Sequence, residues 1–201
     1  MIPVITIIDY GMANLGSVRK AFEAVGSETL ISDRPDDISS ASHLVLPGVG
    51  AFGDAMKNIR ERGVDQAVCE AIDNGAAFLG ICLGLQVLFT ESEEMGIHRG
   101  LDIFQGRVRR FTEGLVPQIG WNQAHILRDD PIMEGIPDHS YFYFVHSYYV
   151  DPAEKKDVIA GTDYHIDYAS IVGRDRVWGI QFHPEKSQQK GLRILKNFTT
   201  L

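Results

Sequence analysis

At 201 residues and 44% hydrophobic content, the chain is long enough to bury one full core and reads as a single domain over residues 1–201. A formal net charge of −8 excludes a general nucleic-acid binder, which needs a basic face, and no run of about 18 apolar residues offers a membrane span. Two cysteines, Cys69 and Cys82, fit a reducing compartment better than a disulfide scaffold. The opening "MIPVITIIDY" lacks the basic leader of a signal peptide, so the expected location is the cytoplasm.

In chain order, "VITII" is an apolar, β-branched run of the kind buried on both faces of a sheet. "NLGSVRKAFEAVG" predicts a helix with Asn14 as N-cap, a stripe of Leu15, Val18, Phe22 and Val25, and Gly26 closing it. "SETLI" and "HLVLP" are short strands separated by the polar stretch "SDRPDDISSAS". Val64, Ala67, Val68, Ala71 and Ile72 recur at helical spacing; Gly75 stops that helix and "AAFLGI" is the next buried strand. Beyond it, "GRVRRF", "GWNQAHIL", "YFYFVHSYYV", "DVIAGTDY", "YASIVG" and "RVWGIQF" are strand-like pieces joined by turns. "SQQKGLRILKNF" is a closing helix with Leu192, Leu195 and Phe198 apolar. The expected fold is α/β and doubly wound: a mostly parallel, flavodoxin-like central sheet flanked by helices, with additional antiparallel strands at its edge.

Within "AAFLGICLGLQVLF", Cys82 falls on the turn between that strand and a helix opening at "LGLQVLF". In such a sheet this is the carboxyl edge, where ligands bind. Gly80 and Gly84 leave room for a sharp turn of nucleophile-elbow type, and a helix N-terminus would stabilise the attacking thiolate. A small buried hydrophobe is the alternative that this segment alone leaves open. Cys69, mid-helix beside the apolar stripe, reads as packing.

A cysteine nucleophile needs a base, and the base an orienting group. His43, His98, His125, His139 and His165 lie in polar or turn-like surroundings, solvated or locally bonded. His146 and His183 end apolar strands. Along "VWGIQFH", Trp178, Ile180 and Phe182 share one face, with Gln181 and His183 on the other. Glu185, two residues on, would project beside the imidazole if the backbone stays extended, and Pro184 restricts that backbone. A carboxylate there could select the tautomer and stabilise the imidazolium; a merely solvated His–Glu pair is the open alternative. "LVLPGVGAFGDAM" adds the Pro47–Gly50 turn, able to point backbone N–H groups at an oxyanion. An ordinary turn or a phosphate loop is the other reading, although no Walker lysine follows.

"PGVGAFGDAM", "GICLGLQVLF" and "GIQFHPEKS" together resemble the class I (triad) glutamine amidotransferases. "DYGMANLGSV", "PQIGWN" and "YFYFVHSYY" resemble, within that family, the glutaminase subunits of imidazole glycerol phosphate synthase. The resemblance implies Cys82 as nucleophile, His183 as general acid/base and Glu185 as its orienter. It implies an oxyanion held by backbone N–H groups of Val49, Gly50 and Leu83. Gly48, Gln86, His146, Ser147 and Tyr148 would hold L-glutamine. It also implies a partner: a (β/α)8-barrel cyclase subunit, forming a heterodimer and receiving ammonia across an interface that includes Trp121, Asn122, Tyr141, Tyr143 and Lys186. No metal or cofactor is called for, and no Cys/His grouping has zinc spacing. "GRVRR" leaves open whether Arg107, Arg109 and Arg110 meet the partner or water. Two other readings stand beside this one: the glutaminase of an anthranilate or aminodeoxychorismate synthase, and a regulatory module with a vestigial site.

Overall fold

The apolar run near the N-terminus forms the first strand of the sheet in the computed structural model, which describes residues 3–201; Met1 and Ile2 of the opening segment lie outside the described residues. The first half runs β1 (Ile5–Ile8), α1 (Leu15–Ala24), β2 (Thr29–Ser32), α2 (Pro35–Ser39), β3 (His43–Gly48), α3 (Phe52–Glu61), α4 (Val64–Asp73), β4 (Ala77–Cys82) and α5 (Leu83–Gln86). The strands β5 (Phe89–Ser92), β6 (His98–Arg99), β7 (Phe104–Arg110), β8 (Gln118–Ile126), β9 (Ser140–His146), β10 (Tyr148–Pro152), β11 (Val158–Asp163), β12 (Asp167–Arg174) and β13 (Val177–Ile180) follow. The last helix is α6 (Gln188–Phe198).

The parallel core has the order β2-β1-β3-β4-β13. Every residue of β1, β3, β4 and β13 is buried, as expected for strands covered on both faces. One face packs against α1 and α6 through Val18, Phe22, Ile194, Leu195 and Phe198. The other packs against α3 and α4 through Phe52, Met56, Ile59, Val64 and Val68. β4 alternates between them, with Leu79 and Ile81 on one side and Phe78 on the other. Beyond β13 the sheet continues through antiparallel β12, β10 and β7, then β5 and β6, while β11 links β12 to the antiparallel β8–β9 ribbon. The antiparallel part is thus larger than an edge addition.

Asn14 caps α1 by accepting the Ser17 N–H, and Gly26 follows its end at φ +87°. Several elements depart from the expectation. The polar stretch after β2 contains α2, begun by Pro35 with Asp36 and Asp37 in its first turn, a favourable N-terminal composition. α3 begins directly after the Pro47–Gly50 turn and buries Phe52, Ala55, Met56 and Ile59; its stripe sits behind glycines that read as loop. The helix expected from Leu83 is a single turn, because the chain re-enters the sheet as β5. "YFYFVHSYYV" divides at Ser147 into β9 and β10. Cys69 is exposed, not packed, since it lies off the stripe of Val64, Ala67, Val68 and Ala71. His43 is buried within β3, its Nε2 3.0 Å from the Leu201 carbonyl oxygen.

Candidate active site

Cys82 ends β4 and stands at φ +56°, ψ −109°, a conformation that costs a non-glycine residue energy and is held by its surroundings. Those surroundings are glycines: a Cβ on Gly84 would overlap the Leu46 carbonyl oxygen, and one on Gly80 the Gly84 carbonyl oxygen. The turn therefore packs directly against the backbone of β3 and aims the sulfur past the sheet edge. With α5 only one turn long, few aligned peptides contribute to a helix dipole; the local N–H groups after Cys82 remain.

β13 lies beside β4 in parallel, with Gly179 opposite Gly80 and Ile180 opposite Ile81. The segment leaving β13 therefore reaches the same edge as Cys82, although about a hundred positions separate them. His183 is extended (φ −97°, ψ 96°), and Pro184–Lys186 then form a 3₁₀ turn. Glu185 is thus brought to the imidazole by a turn, not by the extended pleat the sequence suggested. Its Oε1 lies 2.8 Å from His183 Nδ1, both side chains almost fully buried. Burial opposes charge on His183, but its interactions with Cys82 and Glu185 outweigh that and push its pKa up to about 10. His183 Nε2 has no hydrogen-bond partner among the described residues and is the nitrogen left for chemistry in the cavity.

That cavity, about 280 Å³, is lined by Val49, Gly50, Cys82, Leu83, Gln86, Glu94, Pro117, Val145, His146, Ser147, Tyr148 and His183. Most residues named from sequence as catalytic, oxyanion-holding or glutamine-holding meet here. Gly48 is not among the lining residues: a Cβ there would overlap the Tyr10 hydroxyl and crowd the Leu83 side chain. Two expectations are refined. The Val49 N–H donates to the Met12 carbonyl at 3.0 Å, so it points away from Cys82 in this conformation. Gln86 donates its amide N–H groups to the Tyr148 carbonyl (3.0 Å) and to Gln181 Oε1 (3.2 Å), which leaves its own carboxamide oxygen for a substrate. His146 contacts the Tyr148 carbonyl through Nδ1 (2.8 Å) and Tyr168 through Nε2 (3.2 Å). Burial, only partly offset by that carbonyl, lowers its pKa to about 4, so it is neutral and wall-forming.

The sequence reading missed Glu94, which lines the cavity while its Oε2 accepts the Phe52 N–H at 2.7 Å, and Gln181, whose amide reaches Cys82 Sγ. It also assigned no cluster to His125, Asp138 and His139, whose ligand atoms converge within 4.8 Å on the surface. Asp138 there accepts the backbone N–H groups of Ile126 and His139. The residues expected at an interface lie on the β8–β9 ribbon. Trp121 faces Tyr143 in register and edge-on at 6.1 Å, Lys186 sits 5.9 Å from the Tyr143 ring, and Tyr141 is exposed. Asn122 falls on the opposite face and donates to the Asp163 carbonyl. Arg107 and Arg109 pair with Glu91 and Asp151. Among the described residues, no helix is long and apolar enough to cross a membrane.

A cysteine on a strained elbow facing a buried His–Glu pair is the arrangement of a thiol amidohydrolase, and the family comparison agrees. The model of the family "Glutamine amidotransferase class-I" matches residues 6–200, and the chain belongs to that family. It is 51% identical over 203 residues to the imidazole glycerol phosphate synthase subunit HisH of Syntrophotalea carbinolica, covering 97% of this chain and 98% of that protein. It is 46% identical over 198 residues to the HisH subunit of Chlorobaculum tepidum, covering 97% and 98%. Among solved structures, PurLQS from Thermotoga maritima superposes with a TM-score of 0.78 at 19% identity, covering all of this chain and 99% of that one; at that identity the likeness bears on the fold.

Proposed function

We propose that the chain is the glutaminase subunit of an imidazole glycerol phosphate synthase, hydrolysing L-glutamine to glutamate and ammonia for a cyclase partner in histidine biosynthesis. The observation that carries this is the meeting, in one small cavity, of Cys82 on its elbow with the buried His183–Glu185 pair.

In the proposed reaction the Cys82 thiolate attacks the side-chain carbonyl carbon of glutamine. The Leu83 N–H, the residue after the nucleophile, stabilises the oxyanion. The Val49–Gly50 segment supplies the second donor once the peptide between Gly48 and Val49 rotates and releases the Met12 carbonyl; Gly48, whose ψ turns with that peptide, eases the rotation. The His183 imidazolium gives its proton to departing ammonia, leaving a glutamyl thioester. The same ring then takes a proton from water, which attacks the thioester and releases glutamate. Glu185 holds the ring in the tautomer that presents Nε2. Gln86, through its oxygen, and the Ser147–Tyr148 backbone hold the substrate, and the Glu94 carboxylate suits its α-ammonium group.

Ammonia is largely protonated at neutral pH and then a poor nucleophile, so the product has value only if delivered directly. We therefore assign the Trp121, Tyr141, Tyr143 and Lys186 face to a (β/α)8-barrel cyclase, in a cytoplasmic heterodimer that channels ammonia and carries the lyase step on the partner. Exposed aromatics of this kind suit an interface core. The test is copurification with the cyclase followed by a glutamine-dependent synthase assay. Cys82→Ser should abolish glutamate release and glutamine-dependent synthesis while leaving synthesis from added ammonium salts intact. Persistent glutamate release would remove the proposed nucleophile, and a failure to pair with the cyclase would favour a different synthase.

A further inference from the structure

Gln181 follows β13 directly, on the same side of the strand as His183, and is fully buried. Its backbone N–H donates to the Ser170 carbonyl at 2.9 Å, fixing the segment to β12. Its carboxamide lies between Gln86 and Cys82, two residues that line the cavity. Oε1 accepts from Gln86 Nε2 at 3.2 Å, and Nε2 lies 3.7 Å from Cys82 Sγ, a separation that suits sulfur's larger radius.

The orientation of that amide is set by the network around it. Gln86 Nε2 also donates to the Tyr148 carbonyl at 3.0 Å, so Gln86 presents N–H toward Gln181. Turning the Gln181 amide over would put two NH₂ groups against each other and an oxygen against the sulfur lone pairs. The buried N–H of Gln181 is left with the sulfur as its acceptor. A neutral thiol accepts weakly, whereas a thiolate makes a charge-assisted bond, so the contact strengthens as the proton leaves.

We infer that Gln181 is a hydrogen-bond donor to the reacting sulfur, locked in place by Gln86, and that it holds Cys82 in the attacking form and direction. This rests on the glutaminase reading only in naming Cys82 as the reacting atom; the contact itself can be tested on the sulfur alone. Gln86 then acts twice, through its oxygen toward substrate and through its nitrogen on the amide that supports the nucleophile.

Gln181→Glu keeps the shape and the acceptor for Gln86 but deletes the donor to sulfur, while adding charge; Gln181→Met deletes the donor without adding charge. In a Cys69→Ser background, which removes the exposed thiol, the rate of Cys82 alkylation by iodoacetamide is followed against pH. Losing a hydrogen bond to the ionised form should raise the midpoint by about one pH unit in Gln181→Met, an approximately tenfold loss of rate below the wild-type midpoint, and by more in Gln181→Glu, whose added charge also repels the thiolate. In Gln181→Glu, which keeps the acceptor for Gln86, glutamine hydrolysis should lose kcat with KM little changed, because the contact strengthens with the chemistry rather than with binding. An unmoved midpoint in either folded variant overturns the inference, as does a loss confined to KM or to melting temperature. If Cys82→Ser still released glutamate but the midpoint moved, the contact would stand and the glutaminase reading would fail.

Discussion

The buried His183–Glu185 pair gives the most quantitative test of the site. Glu185→Gln preserves the side chain's shape and removes a negative charge 2.8 Å from Nδ1, where both side chains are 4% exposed or less. Burial alone would disfavour the imidazolium; the adjacent Cys82 and the hydrogen-bonded, charged Glu185 raise its pKa to about 10. One opposite charge at this distance moves a pKa by roughly 1–3 units. With Cys82 retained, the variant's His183 midpoint should fall by roughly 1–2 pH units. At about 1.4 kcal/mol per unit, the pH-dependent part of the stability gap is about 1.4–2.8 kcal/mol, or about 3–10 °C of Tm for a chain of this length. The folded-state pKa lies above the unfolded 6.5, so this contribution is complete below pH 6.5 and lost as pH rises through about 10. Wild type and variant should thus differ most in Tm at neutral pH and converge on that component near pH 10. Turnover should fall by about 10²–10⁴, the worth of a positioned acid/base. Ring-resonance titration of His183 by NMR and paired melts at pH 7 and 10 provide the readout. A midpoint that stays in place, or a melting gap that does not narrow toward pH 10, would refute the account of how Glu185 acts.

Three further substitutions probe the scaffold and the outer face. Gly84→Ala drives a methyl group into the Leu46 carbonyl and should cost upwards of about 3 kcal/mol, lowering Tm by about 6–12 °C. Gly16→Ala, where nothing lies within 4 Å of the added methyl, should instead raise Tm slightly; equal effects in thermal melts would contradict the packing argument at the elbow. Trp121→Ala removes a half-exposed ring resting on Tyr143 and should weaken cyclase binding about 30-fold or more if the ring is a central interface anchor. Unchanged affinity by titration calorimetry would move the partner to another face.

Much of this site is legible in the sequence because the parallel core is nearly continuous in apolar residues and its punctuation is glycine. "AAFLGICLG" announces a buried strand broken by a tight turn, and "VWGIQFHPE" announces a second strand ending in an imidazole and a carboxylate. What linear reading could not supply is adjacency. The β4–β13 pairing joins positions about a hundred apart, and only that register reveals that the second face of "VWGIQFH" is buried as well, placing Gln181 at the sulfur. Glu94 escaped for a related reason: the one-turn α5 returns the chain to the sheet early and carries residues after β5 back to the cavity. The hydrogen bond from Val49 to Met12 was equally invisible, since a glycine-rich turn states that a peptide can rotate but not which way it faces.

The cavity and the aromatic face are also less separate than their residue numbers imply. The Tyr143 carbonyl accepts the His183 N–H at 2.9 Å, and the Tyr143 N–H donates to Ser187 Oγ at 3.0 Å. Ser187 Oγ in turn donates to the His183 carbonyl at 2.7 Å. The backbone of His183 is therefore bracketed by β9, while the Tyr143 side chain, from the same residue, packs between Trp121 and Lys186 on the ribbon's outer side. Alternation along a strand gives one residue both duties: its backbone secures the turn bearing His183 and Glu185, and its side chain forms the face assigned to the partner. A ligand seated on that face would touch the same residue whose backbone holds the imidazole.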